Sequence, residues 1–371
     1  MKWEVVVVGG GPAGALAAAA SAEARARTLI LERAPTRIPC CAGLVSPATA
    51  QRLQIPSSLI LREIRGVRVY SPTGKVAELR AEEPKGLVLD RLALNQWLLK
   101  KAQEKGAAFW PISAREFAED FVLTEKGKVE FEVLVGADGA QSGVARAFGL
   151  PRPREMLVAV QADIRVELED WVEIHLGIVP DFFAWAVPEK EGVAKVGLAT
   201  CSGRAAFDRL RDFLGQRFPG AEVLRIQAGL IPIGPPTATV QRRVILVGNA
   251  AAQVKPLTGG GLAFISLCAP IAGKIVAMGP AAIPQYERTW REILERELAF
   301  QEGARKLFLS LEPKDLEETV KVLRHKKVAE ILQKIEDIDR LAELPKKVLR
   351  SPDLWPILWP FFRLFSAHTR A

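Results

Sequence analysis

The stretch Val5-Val6-Val7-Val8-Gly9-Gly10-Gly11-Pro12-Ala13-Gly14 decides how this chain is read. Four consecutive β-branched residues favour a strand buried on both faces, as in a parallel sheet. The glycines after it fit the pattern G-x-G-x-x-G. Gly9 makes the tight turn, Gly11 lets a pyrophosphate approach bare backbone, and Gly14 lets a helix pack against the strand. Pro12 lacks an N–H that a helix start leaves unpaired anyway, and with Ala13 it opens an Ala-rich helix whose N-terminus carries partial positive charge. A lone match of this kind is weak, and a turn-rich loop in an unrelated α/β protein is the competing reading. Context strengthens it: Thr28 to Leu31 reads as the next strand and ends at Glu32, with Arg33 beside it, where a carboxylate would accept from ribose hydroxyls.

Working outward, 371 residues are more than one compact core usually holds, which predicts two lobes. Hydrophobic residues at 49% and charged residues at 25% exclude a disordered chain. The excess of 51 basic over 43 acidic residues, net +8, is spread along the chain. That distribution speaks against nucleic acid and suits an anionic membrane surface, a phosphorylated substrate or simply a solvated basic surface. Cys40 and Cys41 are adjacent while Cys201 and Cys268 are isolated, so no disulfide framework, zinc site or iron–sulfur site is expected. No metal is expected, and a cytoplasmic location fits. Gly259 to Met278 approaches the length of a membrane span, but Lys274 and Pro270 interrupt it, and it reads as a buried helix.

Two further motifs follow strand-like runs. Phe131 to Val135 opens on Gly136-Ala137-Asp138-Gly139, with Ser142 and Arg146 beyond; in plain chemistry Asp138 can cap a helix starting near Ser142. Arg243 to Val247 opens on Gly248-Asn249-Ala250-Ala251, then Pro256-Leu257-Thr258-Gly259-Gly260-Gly261-Leu262. A helix N-terminus after such a glycine run would stabilise negative charge. In this order the motifs resemble the fingerprints of the large FAD-dependent flavoprotein group that includes the aromatic hydroxylases. The resemblance implies that Asp138, Gly248, Asn249, Gly259, Gly260, Gly261 and Leu262 serve the flavin, with Asn249 standing where that group has Asp. It also implies that Arg91, opening a helix after Val88-Leu89-Asp90, lies against the cofactor; a surface arginine is the alternative. No second G-x-G-x-x-G appears, so the external reductant, NAD(P)H or a small redox protein, would dock transiently.

Within that group the chain resembles the geranylgeranyl reductases. Cys40-Cys41-Ala42-Gly43-Leu44 resembles their Cys-Ala-Gly-Leu loop beside the flavin, and Pro180-Asp181-Phe182-Phe183-Ala184-Trp185-Ala186-Val187-Pro188 resembles their Pro-x-x-Tyr-x-Trp-x-Phe-Pro stretch. Phe183 and Val187 are departures. The resemblance implies an isoprenoid lipid substrate held by Phe183 and Trp185, with Cys41 giving a proton as hydride leaves the flavin. Cys41 as a small apolar filler, and Phe183 and Trp185 as ordinary core, are the competing readings. So are an aromatic-ring monooxygenase, a flavin-dependent halogenase, whose Trp-x-Trp-x-Ile-Pro motif residues 183–188 echo, and a quinone-linked electron-transfer flavoprotein.

The expected fold is α/β: a Rossmann-type FAD-binding domain with an inserted antiparallel β-sheet substrate lobe and a helical C-terminal region. Residues 1–60, 86–155 and 242–282 are assigned to the FAD-binding domain, 61–85 and 156–241 to the sheet lobe, and 283–371 to the helical region. The aromatic run Leu354 to Phe365 suits a membrane interface, a cover over the substrate slot or a dimer contact. Peripheral membrane contact is therefore one expectation, and the oligomeric state is left open.

Overall fold

In the computed structural model, which describes residues 2–343, the valine run ends the strand Lys2–Val8, and Val5, Val6 and Val7 are fully enclosed. The run Leu354 to Phe365 lies outside the described residues. The chain forms two compact units: Met1–Pro39, Asp90–Met156 and Leu230–Glu295 make the first, while Cys40–Leu89, Leu157–Gly229 and residues from Arg296 onward make the second. These boundaries differ from the sequence assignment, because residues 40–60 and the helices beyond 295 cluster with the sheet lobe. The reason is packing: Leu44–Val45 and Ile60–Ile64 pair with Gly86–Leu89, and Leu44, Ile64 and Val88 pack with Val172, Ile174, Trp185 and Val187 of the large sheet.

The first unit is built on five parallel strands in the order Val244–Leu246, Gly127–Gly136, Lys2–Val8, Thr28–Leu31, Ala108–Trp110. Such strands, buried on both faces, are written as unbroken apolar runs, and the core here includes Val6, Leu29, Leu134, Phe131 and Val244. Chain order reverses between Lys2–Val8 and Gly127–Gly136. In open α/β sheets the crevice at the carboxyl ends of the strands beside such a switch point is where ligands bind.

Two helices of this unit approach with little between them. Pro12–Glu23 is mostly Ala and Gly, and it packs against Leu262–Val276, the apolar segment read as a buried helix. A Cβ on Gly273 would lie 2.1 Å from the Ala17 carbonyl oxygen and 2.7 Å from Ala20 Cβ. Pro270 lies within the second helix, and Lys274 in its last turn. Among the described residues no helix is long and apolar enough to cross a membrane.

The second unit holds a seven-stranded sheet and a three-stranded sheet among the described residues. Most pairings in the larger one are antiparallel, as the short alternating strands suggest. One is not: Trp171–His175 runs parallel to Gly66–Tyr70. Those strands are about a hundred residues apart in sequence, so no hairpin dictates their sense, and a long crossover permits parallel pairing. Gly66 is needed at that seam, since a Cβ there would lie 2.4 Å from the Trp171 ring. The helix Gly203–Arg217 packs against Val193–Thr200, and the helices Ile283–Ser310, Pro313–Leu323 and Lys326–Gln333 give the region beyond 283 its helical character.

Gly273→Ala tests the helix contact. It places a methyl group against backbone that cannot swing away, and is expected to cost about 1–3 kcal/mol by overpacking. A fall in the urea midpoint with an unchanged slope would register it; an unchanged midpoint would show that the helices can separate freely.

Candidate functional site

All three glycine motifs stand at carboxyl ends of neighbouring parallel strands in the first unit. Lys2–Val8 delivers Gly9, Gly127–Gly136 delivers Ala137 and Asp138, and Val244–Leu246 leads to Gly248. The strand ends are tied by backbone: Gly9 N–H donates to Leu31 O (2.8 Å), Ala137 N–H to Val8 O (2.8 Å), and Val247 N–H to Gly136 O (2.9 Å).

The glycines of the first motif have three different reasons. Gly9 has φ +103°, and a Cβ on it would lie 2.3 Å from Ala137 O. A Cβ on Gly14 would lie 1.9 Å from Gly9 O, so helix and strand touch there. Gly11 is different, because a Cβ on it would meet nothing within 4 Å. It is the N-cap of Pro12–Glu23, and no side chain caps that helix. Its first N–H groups, those of Ala13 and Gly14, give that end partial positive charge. Such an end, with open space at Gly11, suits a pyrophosphate.

Glu32 is half-buried at the end of Thr28–Leu31, with Oε2 accepting from Gly10 N–H (2.8 Å) and Oε1 from Ala34 N–H (2.7 Å). Both oxygens thus shape the glycine turn, and each keeps a lone pair that a ribose hydroxyl can address. Arg33 is exposed. Arg91 is half-buried at the start of the helix Arg91–Glu104, where it donates to Asn95 Oδ1 (3.2 Å).

Asp138 performs the capping that plain chemistry allowed: Oδ2 accepts from Gly143 N–H (2.7 Å) and Val144 N–H (3.1 Å). Its Oδ1 is enclosed and has no hydrogen-bond partner among the described residues. An enclosed carboxylate oxygen without a donor is costly, so a ligand hydroxyl fits this position. Asn249 stands in the short helical turn Gly248–Ala251, and its side-chain oxygen lies 3.2 Å from where a Gly261 Cβ would be. Gly248 has φ +68°, and a Cβ on it would lie 2.5 Å from Ala13 Cβ, bringing the third motif onto the first. Gly261 is the N-cap of Leu262–Val276, again without a side-chain cap. The chain therefore aims two uncapped helix N-termini from one sheet edge.

Two supports escaped sequence reading. Gln253 accepts from Gly248 N–H (2.8 Å) through Oε1 and donates through Nε2 to the Tyr286 hydroxyl (2.9 Å); Gln253 and Tyr286 are fully buried. Burial pushes the Tyr286 phenol well above its usual range. Lys255 is buried with its Cε 2.8 Å from where a Gly260 Cβ would be, adding positive charge beside the glycine run. An isolated glutamine and lysine carry no spacing signal that would have singled them out.

Cys41, Phe183 and Trp185 belong to the second unit. Cys41 is half-buried, and its Sγ accepts from Gly43 N–H (3.4 Å); Gly43 has φ +82°. Neighbouring Cys40 packs on Gly229, where a Cβ would lie 3.1 Å from Cys40 Cβ. All four cysteines are free thiols. Phe183 and Trp185 are half-buried, edge to face with centroids 6.3 Å apart. Trp185 packs with Ala42, Leu44, Ile174 and Val187, so the Cys41 loop and Trp185 share one apolar cluster. Its indole N–H donates to Gln161 Oε1 (3.3 Å). Phe183 joins a second cluster with Leu176, Leu316 and Val320. Elsewhere in this unit, Glu173 is bound by His175 (3.0 Å) and by Arg217 Nε (3.0 Å), beside Tyr70 stacked on His175. A cavity of about 620 Å³ there is lined by Arg68, Arg165, Glu167, Glu173 and Arg217, with both signs of charge represented.

A Rossmann strand order, a glycine cradle with two helix N-termini and an inserted sheet define the class: a flavin-binding oxidoreductase. No family model matches the chain. It is 32% identical over 372 residues to digeranylgeranylglycerophospholipid reductase 2 of Methanothermobacter thermautotrophicus, covering 87% of this chain and 95% of the relative. The chain belongs to the digeranylgeranylglycerophospholipid reductase family. The fold agrees. A geranylgeranyl bacteriochlorophyll reductase-like protein from Thermoplasma acidophilum superposes with TM-score 0.83 at 23% identity, over 97% of this chain and 99% of that one. A flavin-dependent brominase shares the fold at TM-score 0.68 and 15% identity, over 100% of both chains.

Gly11→Val separates binding from folding. The added side chain meets no protein atom within 4 Å at its Cβ, so thermal stability of the flavin-free protein should be nearly unchanged while flavin affinity falls about tenfold or more, a loss of about 1.4 kcal/mol. Wild-type flavin content after gel filtration would remove the pyrophosphate from this place.

Glu173 gives a pH signature. Burial raises its pKa, but hydrogen bonds from His175 and Arg217 outweigh that, and the net shift is downward from 4.5. A depressed folded-state pKa stabilises fully above the unfolded value and is lost as pH falls through the folded one. Glu173→Gln should therefore lower Tm near neutrality and flatten its decline below about pH 4.5. A decline as steep as wild type would refute the assignment.

Proposed function

We propose that the protein is an FAD-dependent reductase that saturates geranylgeranyl double bonds of a glycerophospholipid or its precursor. The supporting observation is kinship along 95% of a digeranylgeranylglycerophospholipid reductase, joined to a cradle whose open space lies before Gly11. Reduced FAD bound there supplies hydride to the double bond.

The chain's own residues do the remainder. Gly9, Gly11, Pro12, Ala13 and Gly14 hold the pyrophosphate with backbone and helix charge. Glu32, with Arg33 nearby, addresses the adenosine ribose. Asp138 Oδ1 and Asn249 take hydroxyls, while Arg91 adds positive charge. Gly248 and Gly259, Gly260, Gly261 and Leu262, which lead into an uncapped helix N-terminus, would hold the flavin, and that positive end would favour negative charge on it.

Saturating a C=C bond takes one hydride and one proton. Cys41 donates that proton to the carbon opposite the one receiving hydride, and water restores the thiol. Phe183 and Trp185 offer an apolar wall, on which each buried CH2 of the isoprenoid contributes about 0.8 kcal/mol. NAD(P)H or a small redox protein docks transiently to renew the reductant, and the enzyme works from the cytoplasm with peripheral contact to the membrane holding its substrate.

Anaerobic incubation of reduced holoenzyme with digeranylgeranylglycerophospholipid should give product heavier by two hydrogens per bond. Cys41→Ser should lower kcat by about 10²-fold or more, the contribution of a positioned general acid, with flavin content intact. Stoichiometric oxygen uptake with hydroxylated product, or halide-dependent product, would replace this reading with a monooxygenase or a halogenase.

A further inference from the structure

We propose that Asp339 is a positioning residue that clamps the Cys41 loop. The proposal rests on the reading of Cys41 as the proton donor.

Cys41 lies in an irregular stretch spanning 32–43. Cys41 Sγ accepts from Gly43 N–H, and Leu89 N–H donates to Gly43 O (3.0 Å). Immediately after come Leu44–Val45, paired with Gly86–Leu89, and Ser46, the N-cap of the helix Pro47–Leu53. Ser46 Oγ caps that helix locally, accepting from Thr49 N–H (3.1 Å), and a second hold comes from 293 residues away: Asp339 Oδ2 accepts from Ser46 N–H (2.9 Å) and from Thr49 Oγ1 (2.8 Å). Asp339 is 3% exposed. A carboxylate at a helix N-terminus meets both the backbone donors and the positive end of the helix, and charged acceptors of this kind make the stronger hydrogen bonds.

The segment carrying Asp339 is itself anchored on both sides of that carboxylate. Lys85 Nζ donates to Ile335 O (2.9 Å), while Glu297 accepts from Leu341 N–H (2.8 Å) and Ala342 N–H (3.0 Å). Lys85 directly precedes Gly86–Leu89, the strand on which Leu44 is paired. One segment thus grips both strands that frame the thiol: one through Ser46, the other through Lys85. All of these groups lie in the second unit. Displacement of a reacting group by about 1 Å costs about 10²-fold in rate, so a clamp remote in sequence can govern the chemistry without touching substrate.

Glu317 supplies the control. Its Oε1 accepts from Thr73 N–H (2.8 Å), a comparable long-range pin between the C-terminal helices and a turn of the large sheet, with no bond to the Cys41 loop. Full-length holoenzymes carrying Asp339→Ala, Asp339→Asn, Thr49→Val and Glu317→Ala would be compared by iodoacetamide labelling of Cys41, mapped by peptide mass spectrometry, and by kcat, KM and flavin content. Asp339→Ala should speed labelling severalfold and lower kcat by about 10²-fold with KM and flavin little changed. Asp339→Asn, which keeps an acceptor oxygen, should recover most of both, and Glu317→Ala should lower Tm alone. Thr49→Val, which removes one donor and keeps shape, carries the test if Asp339→Ala does not fold. Wild-type labelling in both Asp339→Ala and Thr49→Val, or equal effects from Glu317→Ala, would overturn the clamp. Faster labelling with unchanged kcat would leave the clamp standing and remove Cys41 from the reduction.

Discussion

The flavin cradle depends on one steric constraint: two helices behind the sheet must come almost into backbone contact. Gly273 over Ala17 O and Gly248 over Ala13 leave no room for a single methyl group. That closeness sets the N-termini of Pro12–Glu23 and Leu262–Val276 side by side at the strand ends. With larger residues at these positions the helices would splay, and the two partial positive charges would no longer converge. The alanine tract is therefore what permits the close approach of the two helices.

The polar groups around the cradle follow the same economy of form. Glu32 accepts from backbone N–H groups of the distant glycine turn and of its own loop, and Asp138 from those of the helix start that follows it, which fixes the backbone and leaves acceptor capacity over. Gln253 does for the Gly248 turn what Glu32 does for Gly10, anchored in turn by a buried tyrosine. In each case a side chain shapes the backbone of a glycine turn or a helix start.

In the second unit, cross-strand register arranges chemistry that sequence distance conceals. Reading across the large sheet, Gln161, Gly197, Trp185, Ile174, Val69 and Ala77 lie in one row. The row is polar at one end and apolar at the other, and the bare backbone of Gly197 accommodates the Trp185 ring. Trp185 is a packing residue of this row and only half-buried, so packing does not use up its whole surface.

Local sequence determined the strand–glycine–helix unit, the second and third turns and the helix Arg91–Glu104, which Asp90 caps by accepting from Ala93 N–H (2.9 Å), because β-branched runs, positive-φ glycines and N-caps act over a few residues. It also carried the family resemblance through the Cys41 and Trp185 patches. Tertiary structure alone decided the parallel pairing of Trp171–His175 with Gly66–Tyr70, the placement of residues 40–60 with the sheet unit, the support by Gln253 and Lys255, and the reach of Asp339 to Ser46. Each of these joins groups tens to hundreds of residues apart, and no local propensity encodes which distant donor a carboxylate will meet. Only the packed chain, in which most buried polar groups must find partners, selects it.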